Sequence, residues 1–226
     1  MSEVLLGIDT CGARGTVALG RVVAGGVEIA GQVELAGGEF AARIVAVIGE
    51  LLAAEGLAVR DLAGIVAVDG PGTFTGIRIG LSTAKALAEA TGVPMVTVSR
   101  LKLLAELAGT GCAALDAHRG QVFLGVYGAT ATEVLVTAGE FQGMQVPGAV
   151  AFCEEGVAQL LETVAEAELA RTPAPTAADA LRLGLGPWRR GEFADVAELD
   201  GYYLRGADAK TQVALAADRV AKQAAR

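Results

Sequence analysis

Between Gly64 and Thr91 the chain passes from an apolar run, Gly64-Ile-Val-Ala-Val-Asp69, through Gly70-Pro-Gly72 into a long helix-like run, Leu81 to Thr91. Proline fixes φ and glycine accepts positive φ, so these residues predict a tight turn between a buried strand and a helix. Thr73 and Thr75 are placed to cap the open N–H groups of that helix. A glycine-rich turn at a helix N-terminus is a common phosphate cradle. This one lacks the Gly-Lys-Ser/Thr ending of a P-loop and the glycine spacing of a dinucleotide fingerprint. A purely structural turn is the reading its chemistry favours.

On a helical wheel Arg78, Ser82, Lys85 and Glu89 form one narrow polar arc, at the spacing of helical neighbours. Gly76, Gly80, Ala84 and Ala88 recur every four residues as a ridge almost without side chains, flanked by Ile77, Leu81 and Leu87. Glycine within a helix costs about 1 kcal/mol relative to alanine, so two of them point to a close contact. That contact is either burial within one domain or a helix of another subunit. A second helix is predicted over Glu39 to Glu55, with Phe40, Ile44, Val47, Ile48, Leu51 and Leu52 on one arc. Ala42, Ala46, Gly49 and Ala53 make a smooth opposite side. Two such helices would expose more apolar area than a monomer usually shows, which favours a helix-on-helix interface with another subunit.

The 226 residues suffice for one large domain or two small ones. Although 53% are hydrophobic, no run of 18 apolar residues lacks a charge, so no membrane association is expected. A net charge of -8 excludes a lone nucleic-acid binder, because backbone binding needs clustered Lys and Arg. It does not exclude a subunit of a larger nucleic-acid-handling assembly. Cys11, Cys112 and Cys153 are scattered and odd in number, and Met1-Ser-Glu-Val leads straight into a strand without a charged leader. Reduced thiols in a cytoplasmic protein are expected. With His118 the single histidine, no metal site is expected.

Strands are predicted at Val4 to Asp9, Thr16 to Gly20, about Val27 to Leu35, Ile65 onward and Pro94 to Val98, followed by a short helix from Leu101 to Ala108. Strands in series and then alternating with helices predict an α/β domain with a mixed sheet. After Gly109 the pattern restarts: Cys112 to Asp116, Gln121 to Tyr127 and Thr132 to Thr137 read as strands. The unit strand-acid-turn-strand thus occurs twice, which predicts two halves on one plan. The expected division is a first lobe over residues 1–108, a reduced second lobe over 109–208 and a tail over 209–226. Within the second lobe Glu154 to Leu169 and Asp179 to Leu185 read as helices, Arg171 to Thr176 as a loop and Leu199 to Leu204 as a last strand.

Asp9 and Asp116 each end a strand before a turn of small residues. In a two-lobed nucleotide-binding fold such acids steer a magnesium ion while turn amides hold phosphate. Turn-capping aspartates are the plainer reading. Asp9, Thr10 and Asp116 are therefore candidates for a vestigial nucleotide or metal position. A nucleophilic triad finds no support: there is no Gly-x-Ser-x-Gly elbow, and His118 beside Arg119 reads as a surface turn. No catalytic residue is assigned.

With these segments in place the chain closely resembles the bacterial TsaB (YeaZ) family. The match rests on Gly70-Pro-Gly-Thr-Phe-Thr-Gly-Ile-Arg-Ile-Gly-Leu81, Ala84-Lys85, Gly92-Val-Pro94 and Val98-Ser99. Weaker matches keep their order at Ile8-Asp9-Thr10, Asp116-Ala-His-Arg-Gly-Gln-Val-Phe123 and Tyr203-Leu204-Arg205. The resemblance implies an α/β, actin-like (ASKHA, ribonuclease H-like) fold of two lobes, the second reduced. It implies a non-catalytic scaffold for synthesis of N6-threonylcarbamoyladenosine in tRNA. Such a scaffold pairs with the catalytic paralogue TsaD and with TsaE, forms a homodimer when alone, and meets tRNA only through the complex. No cofactor is implied for the isolated chain, with ATP or ADP and Mg confined to the assembled complex. Carried onto this chain, the paired surface would comprise Gly76, Gly80, Leu81, Ala84, Ala88, Ala42, Ala46 and Gly49. Phe40 and His118 stand where relatives often carry histidine and arginine. A free-standing phosphotransferase of the same fold, or a peptidase, are the alternatives.

Overall fold

The computed structural model describes residues 3–162 and 167–205, so the expected tail over 209–226 lies outside them. The chain opens with β1 (Val4–Asp9), β2 (Gly15–Val23) and β3 (Gly26–Leu35), an antiparallel series. Next come α1 (Phe40–Ala54), β4 (Gly64–Gly70), α2 (Phe74–Thr91), β5 (Met95–Ser99) and α3 (Arg100–Ala108). The first sheet has the order β3-β2-β1-β4-β5, with β4 parallel to both β1 and β5. Every residue of β1 and β4 is buried, as expected for apolar runs covered on both faces. β3, at the sheet edge, alternates between covered and solvent-facing positions.

α2 begins at Phe74, directly after the Gly-Pro-Gly turn. Thr73 is its N-cap and accepts from the amide of Gly76 at 3.3 Å, and Gly92 closes it in the left-handed region at φ 70°. The Gly70–Pro71 peptide bond is cis.

The pattern then repeats. β6 (Cys112–Asp116), β7 (Gln121–Tyr127) and β8 (Ala131–Thr137) are antiparallel, followed by α4 (Ala138–Gln142), β9 (Val150–Phe152), α5 (Glu155–Leu161) and β10 (Leu169–Arg171). The second sheet runs β10-β9-β6-β7-β8, with β9 parallel to β6 and to β10. Read from β8 this is the same order and the same sense of pairing as in the first sheet. Each half is therefore a ribonuclease H-like α/β unit, and the second is the smaller. Its core gathers Cys112, Val122, Leu124, Phe141, Val150, Phe152, Val157 and Leu161.

The last helix, α6 (Ala177–Arg189), packs on all five strands of the first sheet. The described residues accordingly divide into 3–103 with 175–202, and 104–162 and 167–174 with 203–205. This corrects the expected first boundary at 108 and the placing of residues 175–202 in the second lobe, since those residues return to the first unit; the expected boundary at 208 lies outside the described residues. The return is specified by close fits. A Cβ on Gly7 would stand 2.6 Å from the Ala177 carbonyl oxygen, and one on Gly184 2.5 Å from Val66. The first amides of α6 are satisfied by the first sheet: Ala177 donates to Thr16 Oγ1 at 2.7 Å and Ala178 to Gln32 Oε1 at 3.1 Å.

Thr176, placed in a loop by the sequence reading, completes a capping box with Asp179: its hydroxyl donates to Asp179 Oδ2 at 2.6 Å, and its amide to the same oxygen at 3.0 Å. Thr176→Ala is expected to lower stability by about 1 kcal/mol, measured by denaturant unfolding, with Thr176→Ser nearly neutral.

Two other expectations are corrected. Glu154 to Leu169 is not one helix: α5 ends at Leu161 and Leu169 already belongs to β10. Leu199 to Leu204 forms no strand. Its backbone is held point by point instead, with Tyr202 N donating to Asp69 O at 2.8 Å and Lys85 Nζ to Leu199 O at 2.7 Å.

Candidate functional site

Two places carry the residues singled out by sequence, one in each unit, and a third feature is a helix face. In the first unit the turn after β1 lies against the Gly-Pro-Gly turn. Thr10 Oγ1 donates to Gly76 O at 2.7 Å, Thr73 N donates to Cys11 O at 2.8 Å, and the Cys11 thiol donates to Val68 O at 3.4 Å. Asp9 is 2% exposed and accepts from the amide of Cys11 at 2.9 Å. The Arg100 guanidinium, at the head of α3 and only 4% exposed, approaches it with Nε 3.9 Å from Oδ2. Burial pushes the Asp9 carboxyl above its ordinary value while the positive charge of Arg100 pulls it back. Burial also drives the Cys11 thiol well up, so it is a neutral hydrogen-bond donor and no nucleophile.

The small-residue ridge of α2 belongs to this packing, which overturns the expectation that it faces a partner. Gly76, Gly80, Leu81, Ala84 and Ala88 are all buried within the first unit. A Cβ on Gly76 would lie 1.9 Å from Thr10 O, and one on Gly80 2.3 Å from Thr10 Oγ1. The missing side chains let α2 approach the end of β1, not a foreign helix. The spacing was read correctly and its neighbour was not, since a bare ridge suits a strand end as well as a helix.

The back of α1 is different. Ala42, Ala46 and Gly49 are exposed, together with Ala41 and Ala53, and Val45 among them is 66% exposed. Phe40 is buried, and its ring closes over Gly15. At the start of α2, Phe74 is 55% exposed, with the Arg78 guanidinium stacked 3.7 Å from its ring centre. A Cβ on Gly49 would meet nothing within 4 Å, so nothing in its own unit requires glycine in the middle of this helix. Gly49→Ala is therefore expected to raise the stability of the isolated chain by about 1 kcal/mol in thermal unfolding.

In the second unit Asp116 is held in its turn. Its amide donates to Glu154 Oε2 at 2.5 Å, and its Oδ1 accepts from the amide of His118 at 2.6 Å, the geometry of a self-capping aspartate. The His118 ring lies 3.2 Å from Asp116 Oδ2, and its side chain is 76% exposed. His118 and Arg119 both take positive φ, 59° and 58°. Arg205, from the Tyr203-Leu204-Arg205 segment, donates to the carbonyls of Ala117 at 2.6 Å and His118 at 3.3 Å. Two sequence segments far apart in the chain thus meet at one turn. Among the described residues no group of three or more metal-ligating side chains forms, and no helix is long and apolar enough to cross a membrane.

Sequence reasoning missed Arg100 and Glu154. A single arginine after Val98-Ser99 carries no pattern. Glu154 carries no signal in sequence beyond opening an expected helix, whereas its side chain holds the Asp116 amide.

Comparison with known proteins agrees with this architecture. A family model described as "TsaD: tRNA N6-adenosine threonylcarbamoyltransferase" matches residues 32–186. The tRNA threonylcarbamoyladenosine biosynthesis protein TsaB of Bacillus subtilis (strain 168) is 43% identical over 75 residues, 31% of this chain and 33% of the relative. TsaB of Escherichia coli (strain K12) is 34% identical over 95 residues, 39% of this chain and 41% of the relative. The chain thus spans between a third and about two fifths of the length of these curated relatives. A crystal structure of a Pseudomonas aeruginosa protein, described as uncharacterized with similarity to peptidase YEAZ, superposes with a TM-score of 0.75 at 26% identity. That match covers 90% of this chain and 100% of the other.

Proposed function

The chain belongs to the TsaB (YeaZ) family, and we propose on that footing that it is a non-catalytic scaffold in the synthesis of N6-threonylcarbamoyladenosine in tRNA. In this reading it pairs with the catalytic relative TsaD, works with TsaE, and forms a homodimer when no partner is present. It acts in the cytoplasm and meets tRNA only through the complex.

The observation that carries the reading is the exposed back of α1. Its stripe of Ala42, Ala46 and Gly49 around Val45 leaves apolar surface open on a helix whose other face is already packed. A smooth helical surface of this kind admits a second helix at close range. The glycine at its centre has no reason to be there in the isolated unit, whereas a facing helix would supply one. In this reading the contact lies on α1 and the exposed start of α2 rather than on the buried ridge of α2.

The buried, protonated thiol of Cys11 supports a non-catalytic role over a peptidase. Reconstitution tests the reading. Purified TsaD and TsaE, with tRNA and the activated threonylcarbamoyl donor, should modify tRNA when this chain is added and not without it. The chain alone should yield no modified nucleoside. Modification by this chain without TsaD would contradict the proposal.

A further inference from the structure

The actin-like plan implies a divalent cation and a phosphate ligand at the Asp9 turn, and the residues present do not fit them. The cation's place beside the carboxylate is taken by Arg100, whose Nε is 3.9 Å from Asp9 Oδ2. The guanidinium also fills the cradle of the turn: a Cβ on Gly12 would stand 2.5 Å from its Nη2. The amides that would hold phosphate are committed elsewhere. Cys11 N donates to Asp9 Oδ1, Thr73 N to Cys11 O and Gly76 N to Thr73 Oγ1. Gly72 is pressed against Cys11, where a Cβ would meet its carbonyl oxygen at 2.3 Å. Glycines that leave room for a ligand in other folds here leave room for the protein itself.

We propose that Arg100 is the resident cation of the Asp9 turn, a built-in guanidinium occupying the position that a divalent ion would take. The pair is almost wholly removed from water, so each member offsets part of the other's desolvation. A bound ion exchanges with solvent; a side chain anchored at the head of α3 does not. The turn is in this way committed to structure, and the first unit takes no magnesium nucleotide there. This inference concerns the chain itself and stands whether or not the scaffold reading holds.

The test uses the full chain. Calorimetric titration with Mg-ATP should give no saturable heat at the Asp9 turn, and the melting midpoint should be indifferent to millimolar Mn2+. Arg100→Ser should melt lower by on the order of 10 °C, because it leaves a buried carboxylate uncompensated. Mn2+ should return a substantial part of that loss. Adding Asp9→Asn to Arg100→Ser should restore most of the stability and remove the response to Mn2+. The proposal is overturned by saturable Mg-ATP binding to the parent that Asp9→Asn abolishes, a measurement that does not depend on any Arg100 variant folding. It is equally overturned if Arg100→Ser is as stable as the parent, or if it folds and Mn2+ leaves it unmoved.

Discussion

Gly76→Ala should destabilise the first unit by about 3 kcal/mol or more, an unusually large effect for adding a single methyl group. The added Cβ would lie 1.9 Å from Thr10 O and 2.5 Å from Thr73 Oγ1, and the nearer of these is backbone that cannot swing aside. Nor can α2 slide away. Thr10 Oγ1 donates to Gly76 O, and Thr73 caps the same turn of helix. Any retreat that relieves the clash sacrifices these hydrogen bonds, each contributing about 1 kcal/mol. Domains are stable by roughly 5–15 kcal/mol, so the melting midpoint should fall by on the order of 10 °C. Gly80→Ala should follow with a smaller loss, because its Cβ meets the Thr10 hydroxyl, a side-chain atom, at 2.3 Å. A Gly76→Ala chain that melts with the parent but associates less well would return the ridge to the outside of the molecule.

The second large effect concerns association. Val45→Asp should leave folding nearly untouched, because the side chain is already 66% exposed. It should weaken pairing with TsaD, and self-association, by roughly 100-fold, the cost of placing an uncompensated carboxylate in a desolvated helix contact. Ala46→Arg should act in the same direction through bulk as well as charge. Unchanged circular dichroism and melting, alongside lost pairing in analytical ultracentrifugation, is the expected pattern. Pairing that survives both substitutions would place the contact elsewhere. Gly49→Ala links the two experiments: if glycine is there for a facing helix, the chain should gain stability alone and lose affinity for its partner.

The strands of both sheets were legible where they are long and buried. β1, β4 and β6 are near-continuous apolar runs, and each is bounded by glycine or an acid. β9 and β10 are three residues each, too short to show a period, and their place in the second sheet follows only from the pairing of β9 with β6 and of β10 with β9. The helical wheel of α2 identified a bare ridge yet could not name its neighbour, because the wheel carries no tertiary information. Burial decides that question through Thr10. Thr176 and Asp179 form an ordinary capping box in sequence, but a proline-rich approach, Thr172-Pro-Ala-Pro-Thr176, hid it among loop residues. Arg100 was invisible for a different reason: its meaning lies in Asp9, ninety-one residues earlier, and only the folded chain brings them together.

The central claim is that the open face of α1 exists to be covered by another chain. Multi-angle light scattering of the purified chain, alone and mixed with TsaD at micromolar concentration, tests this most directly. The account predicts the mass of a dimer alone, that of a one-to-one complex on mixing, and monomer under both conditions for Val45→Asp. A parent chain that stays monomeric alone and in the mixture would contradict it.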